Sequence, residues 1–215
     1  MIFDIEANGL LEDATKIHCM SWSDNNGVSV KTTHDEKLIR QILKHQKVLI
    51  GHNIVRYDVP LLEKILGIKI KAKLYDTLPM SWVINTDRPK HGLESFGEDF
   101  GIPKPKIDDW QNLSRQEYEK RCIEDVKITC SLWKNLIQRF MMVYKDKPNL
   151  DRFLQYLTFK MKCAYAAEKS GWKLDTDLAR YCVNKLKTKQ DEKITELKAV
   201  MPMRTLFKKK SRPKV

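Results

Sequence analysis

Apolar and polar residues alternate in the opening run Met1-Ile2-Phe3-Asp4-Ile5-Glu6-Ala7. That pattern predicts a β-strand over 1–6 that carries Asp4 and Glu6 on one face. Further strands are predicted near 15–23 and 27–32, then a helix near 35–45 and the apolar run Val48-Leu49-Ile50. After Asp58, Val59, Leu61, Leu62, Ile65 and Leu66 recur at helical spacing, with Pro60 tolerated in the first turn, so Asp58 is placed at a helix start. Residues 71–76 read as another strand. They are followed by a short helix near 77–84, a turn through Asp87-Arg88-Pro89, a helix near 92–100 and a loop over 101–107.

Ser114 lies three residues before Glu117, a capping box that opens a long helix. On it Tyr118, Arg121 and Asp125 are three and four residues apart and share a face, expected to meet the strand of Asp4 and Glu6. Val126, Leu132, Trp133, Leu136 and Ile137 read as core. Beyond Pro148, helical patterns over roughly 150–170 and 175–200, interrupted by Ser170-Gly171, predict a C-terminal helical hairpin. The end of the chain, rich in Lys and Arg and free of acid, reads as a basic tail that contacts nucleic acid or a partner, or merely solubilises. The expected divisions are 1–147, 148–203 and 204–215.

The order of the acidic residues adds chemistry to this pattern. Asp4-Ile5-Glu6-Ala7-Asn8 on a strand is followed by His52-Asn53-Ile54-Val55-Arg56-Tyr57-Asp58 entering a helix, and then by Asp125 on a later helix. These motifs resemble the three exonuclease motifs of the DnaQ-like (DEDD) family of 3′–5′ exonucleases. Asp76-Thr77-Leu78 and His91-Gly92-Leu93-Glu94-Ser95-Phe96-Gly97 resemble the segment between the second and third motifs. Within the family the likeness is greatest to the N-terminal proofreading domain of family A DNA polymerases of podovirus-type phages. It covers about residues 1–140 and continues more weakly to about 200.

The resemblance implies an α/β fold, a ribonuclease H-like mixed β-sheet flanked by helices, and metal-dependent hydrolysis of phosphodiester bonds at DNA 3′ ends. It implies that Asp4, Glu6, Asp58 and Asp125 hold two ions, Mg²⁺ or Mn²⁺, of the kind that clamp the attacking and departing oxygens in two-metal catalysis. It further implies that Asn8 and Leu10 meet the terminal nucleotide, with Leu10 as an apolar wedge, and that Asn53 bonds the second-motif backbone or the terminal sugar. His52 and His91 are expected to be structural, and Arg56, Lys90, Lys104 and Lys106 are candidate phosphate contacts. One departure stands out: the family places a Tyr four residues before the last Asp, or a His five before it, where this chain has Arg121 and Lys120. Arginine stays protonated and is no general base. Either Tyr118 orients the attacking water or Arg121 stabilises charge on the phosphate.

Composition agrees with this reading. The 215 residues carry 40 Lys and Arg against 28 Asp and Glu, a net charge of +12 that favours an acidic polymer as partner. Five cysteines without C-x-x-C spacing, and no long apolar segment, suggest a reducing cytoplasmic setting (the host cytoplasm for a viral protein) and no membrane. No paired histidines favour nitrogen ligation, so the metal site is expected to be all oxygen. The length leaves no room for a polymerase domain, so no nucleotide addition is expected; a separately encoded polymerase subunit is a possible partner. Two other readings remain open: a related exoribonuclease, and a catalytically weak binding or docking module in which Arg121 has replaced the needed Tyr.

Overall fold

The computed structural model describes residues 1–102, 104, 113–144 and 146–201. Lys106 and the basic tail from 204 onward lie outside these residues. In chain order the elements are β1 (Ile2–Ala7), β2 (Ile17–Ser23), β3 (Lys31–Thr33), α1 (Glu36–His45), β4 (Val48–Gly51), α2 (Asp58–Leu66), β5 (Lys73–Asp76), α3 (Thr77–Ile84), α4 (Leu93–Asp99), α5 (Arg115–Val143), α6 (Lys147–Ser170) and α7 (Thr176–Val200).

The strands form one mixed sheet in the order β3-β2-β1-β4-β5. β1 pairs antiparallel with β2 and parallel with β4, and β4 pairs parallel with β5. The two-residue period of β1 divides its side chains between two layers. Phe3 and Ile5 join Ile39 and Leu43 of α1 and Leu61 and Leu62 of α2 in the largest core. On the opposite face Ile2 packs with Val126 and Cys130 of α5. The same alternation turns Asp4 and Glu6 toward α5, and pairs them across the sheet with the small residues Ser21 and Cys19. A register shift between Glu6 and Ala7 then ends the regular ladder where the carboxylates stand.

β3 begins later than the expected 27–32. Ser23 Oγ accepts from the Gly27 amide at 2.9 Å and Asn25 Oδ1 from the Ser29 amide at 3.0 Å, so residues 24–30 are spent on a side-chain-stabilised turn with Asn26 and Gly27 at positive φ. The expected capping box is present: Ser114 Oγ accepts from the Glu117 amide, and the Glu117 carboxylate accepts from the Ser114 amide at 2.7 Å. The helix it starts runs 29 residues and seats Ile128, Leu132, Leu136 and Phe140 against Met80 of α3 and Phe96 of α4.

Two compact units are distinguished, Met1–Ser170 and Gly171–Val215. α6, grouped by sequence with the C-terminal extension, packs within the first: Leu150, Leu154 and Leu157 join the α3–α5 core, and the Thr158 hydroxyl donates to the Leu74 carbonyl of β5 at 3.0 Å. In the second unit α7 is capped by Asp175, whose carboxylate accepts from the Leu178 amide at 2.9 Å, and none of its residues is buried. No described helix is long and apolar enough to cross a membrane.

Candidate active site

Two elements bring three carboxylates together. Asp4 and Glu6 project from β1, and Asp125 projects from α5 four residues beyond Arg121. Oxygen atoms of the three lie within 4.8 Å of one another. Burial drives all three carboxyl groups up from the usual range. Asp4 is raised well above it, with the charges of Asp125, Asp58 and Glu6 adding to the effect. Glu6 is pushed to about 7 by burial, against the opposing pull of Arg121. Asp125 is raised by burial while Lys104 opposes the shift. Like charges crowded in a desolvated site stabilise one another's protons unless a cation intervenes. A divalent ion answers that need, and an all-carboxylate donor set fits Mg²⁺ or Mn²⁺ rather than a thiol- or imidazole-seeking metal.

Asp58 is the first residue of α2, buried, and outside the three-residue cluster. Its carboxyl is pushed to about 8 by burial, with contributions from Asp76 and Glu6. Its position is set by the turn before it. Asn53 takes a left-handed φ of 62°, and its amide and that of Val55 donate to the two oxygens of Asp76, at 2.8 and 3.1 Å. Asp76 also caps α3 by accepting from the Leu78 amide at 3.0 Å. These three donors only partly offset the burial, which leaves the Asp76 carboxyl raised to about 6. Gly51 closes the approach to the turn, since a Cβ there would stand 2.2 Å from Ile54 Cγ2. Asp76 belongs to the Asp76-Thr77-Leu78 segment of the family resemblance, and a D-T-L triplet following a strand is the cap signal that marks its role.

Among the described residues, Arg121 and Lys104 stand against the carboxylates. Arg121 Nε lies 2.9 Å from Glu6 Oε1. Lys104 Nζ lies 2.5 Å from Asp125 Oδ1 and 2.6 Å from Oδ2. Lys104, a candidate phosphate contact by sequence, meets Asp125 across 21 positions, a pairing that no periodicity links. Tyr118 is buried with its ring stacked on His18, centroids 3.9 Å apart, beside Cys19 and Cys122.

Of the other expected site residues, Leu10, Asn53 and Arg56 line a cleft of about 340 Å³ together with Leu11, Glu12, Tyr57, Tyr165, Glu168 and Lys169. Leu10 is 76% exposed. The turn that presents it is held from below: the Tyr57 hydroxyl donates to the Gly9 carbonyl at 2.7 Å, and Lys64 Nζ donates to the Leu11 and Glu12 carbonyls at 2.9 and 2.7 Å. Asn8 serves the same turn, with Oδ1 accepting from the Thr15 and Lys16 amides and Nδ2 donating to Thr15 Oγ1. Asn53 Oδ1 is buried with no hydrogen-bond partner among the described residues. Arg56 is engaged by Glu168 of α6. His52 and His91 are structural by their contacts, His52 Nδ1 with Thr77 Oγ1 at 2.9 Å and His91 Nδ1 with Ser81 Oγ at 2.7 Å. Burial lowers His52 to about 4. Lys90 lines a shallow pocket with His91, Gly92 and Glu94.

A family model described as RNase_H_2, of the RNase H superfamily, matches residues 1–110. The chain belongs to the RNase H superfamily. The mixed sheet and flanking helices agree with that membership. Among solved structures, Brucella melitensis NrnC with bound Mg²⁺ aligns with a TM-score of 0.59 at 18% identity, covering 80% of this chain and 87% of that one. Brucella melitensis NrnC bound to pGG aligns with a TM-score of 0.60, again at 18% identity and with the same coverage. No curated protein matches the chain at a significant level.

Proposed function

We propose that this RNase H superfamily chain is a divalent-metal-dependent 3′–5′ exonuclease that hydrolyses phosphodiester bonds at single-stranded or frayed DNA 3′ ends. The observation that carries the reading is the buried cluster of Asp4, Glu6 and Asp125, with Asp58 at the adjacent helix start. These four residues would hold Mg²⁺ or Mn²⁺. Such ions supply a water nucleophile near neutral pH and stabilise the departing oxygen. NrnC, of similar fold, has been solved with Mg²⁺.

The protein's own groups divide the remaining work. Arg121, ion-paired with Glu6, is a fixed cation and acts by stabilising phosphate charge rather than by accepting a proton. Tyr118, stacked on His18, holds α5 against β2. Leu10 stands exposed on a braced turn, as a wedge against the terminal base requires, and Asn8 shapes that turn. Asn53, whose side-chain oxygen has no hydrogen-bond partner among the described residues, would bond a terminal sugar hydroxyl. The sequence resemblance supports a proofreading role beside a family A polymerase.

A second reading, an exonuclease trimming RNA or short oligonucleotides, is favoured by the pGG-bound NrnC structure. One experiment separates them: digestion of 5′-labelled single-stranded DNA and of the matched RNA, with Mg²⁺ or Mn²⁺, by the native chain and by the Asp4→Ala, Glu6→Ala variant. A DNA ladder shortening from the 3′ end, absent from the variant, is expected. A ladder on RNA alone selects the second reading. No ladder on either substrate sinks both and leaves a docking or nucleic-acid-binding module.

A further inference from the structure

Lys104 engages both oxygens of Asp125, at 2.5 and 2.6 Å, and the two side chains are only 9% and 7% exposed. A carboxylate oxygen of Asp125 is among the atoms that would ligate a metal ion at the Asp4, Glu6 and Asp125 cluster. We propose that Lys104 and the divalent ion compete for Asp125, and that Lys104, displaced as the ion enters, pairs with a phosphate of the bound nucleic acid. The inference rests on the nuclease reading above.

Charge and geometry both lead there. Among the described residues, Asp4, Glu6, Asp58 and Asp125, once ionised by metal binding, outnumber Lys104 and Arg121 by two negative charges. One divalent ion offsets that excess and a second exceeds it. An ammonium at contact distance from Asp125 then faces strong repulsion in a desolvated site, where Coulomb interactions are far larger than in water. The two cations are not equivalent in their freedom to respond. Arg121 is planar, sits on α5 and meets Glu6 through Nε. Lys104 is a compact charge on a flexible four-carbon stem, able to turn its ammonium away without any change in the helix. With the cluster's carboxylates taken by metal, the substrate phosphate is an anion within its reach, and a cation there stabilises charge that grows during cleavage.

A lysine that served only to neutralise Asp125 would also tighten metal binding on its removal, but would leave cleavage at saturating metal unchanged, and that outcome overturns the phosphate contact. The test is calorimetric titration of Mn²⁺ into the full chain, native and Lys104→Met, with cleavage of labelled single-stranded DNA at saturating Mn²⁺ measured alongside. Lys104→Met is expected to bind Mn²⁺ about tenfold more tightly, a usual size for coupling between two ligands. It is also expected to cleave on the order of 100-fold more slowly, the scale of a lost charge-stabilising group. Lys104→Arg keeps the cation and is expected to bind Mn²⁺ no more tightly than the native chain. Should Lys104→Met fold poorly, the Lys104→Arg chain and an Asp125→Asn, Lys104→Met pair, which removes both charges and should lose the tight site, carry the comparison. Mn²⁺ affinity unchanged or weakened in Lys104→Met, in a native chain that binds Mn²⁺ and cuts DNA, overturns this inference alone. A native chain that neither binds Mn²⁺ nor cuts overturns the nuclease reading with it.

Discussion

Individual residues here are placed against their own stability. Burial and mutual repulsion make the charged forms of Asp4, Glu6, Asp58 and Asp125 costly, so each carboxyl is raised from its ordinary range. Asp4→Asn keeps the shape and removes the charge. It is expected to raise the thermal midpoint measured in chelator while reducing cleavage by about 100-fold or more; a variant that is both inactive and less stable would argue that Asp4 is structural. Asp76 has the reverse role. Its two oxygens take the amides of Asn53, Val55 and Leu78, so Asp76→Ala leaves three donors unpaired, that of Val55 buried and the other two half-buried. The expected loss is about 3 kcal/mol by denaturant titration, since hydrogen bonds to charged groups are worth roughly 1.5–3 kcal/mol each and do not add fully.

At the scale of elements, α5 is the organiser, because one helix delivers Arg121 and Asp125 to the site and Ile128, Leu132 and Leu136 to the core. Its placement depends on a close approach at α4. A Cβ on Gly97 would lie 2.4 Å from the Ile102 carbonyl oxygen and 2.9 Å from Ile128 Cδ1. Gly97→Ala must therefore push α4, the segment after it or α5 out of register, and is expected to cost about 1–3 kcal/mol, the usual range for overpacking. Chemical denaturation checks the stability, and Mn²⁺ titration shows whether the displacement reaches Asp125. The sequence made α5 legible through its capping box and its three-and-four spacing. It did not reveal that the Ser23–Ser29 turn would consume the start of β3, because that turn is held by side-chain hydrogen bonds, which follow no hydrophobic period.

At the scale of the whole molecule, the carboxyl groups set a pH dependence. A carboxyl whose folded pKa lies above its unfolded value holds its proton better in the fold, so folding loses stability as pH rises toward the folded value. His52, lowered to about 4, acts in the opposite sense up to about pH 6.5, where an unfolded histidine has largely lost its proton. Above that, Glu6 at about 7 and Asp58 at about 8 dominate. In chelator the thermal midpoint is therefore expected to fall between pH 6.5 and 8.5, by the equivalent of about 2–3 kcal/mol. Added Mg²⁺ should recover more stability at pH 8.5 than at pH 6.5, because its carboxylate ligands must be deprotonated. A midpoint that is flat over this window in chelator would mean that these carboxyls titrate normally.

The sequence by itself determined the α/β element order, the strand that carries Asp4 and Glu6, the helix start at Asp58 and the shared face of Arg121 and Asp125. Each of these is a local matter of side-chain period, turn chemistry and capping, written within a few residues. Only the tertiary structure decided which groups meet across long separations. Arg121 pairs with Glu6, Lys104 with Asp125, Glu168 with Arg56, and Asp76 with the amides of the turn before Asp58. A loop lysine or a capping aspartate has no period to betray its partner. Its contacts follow from the sheet order and from how closely Gly51 and Gly97 let neighbouring segments approach.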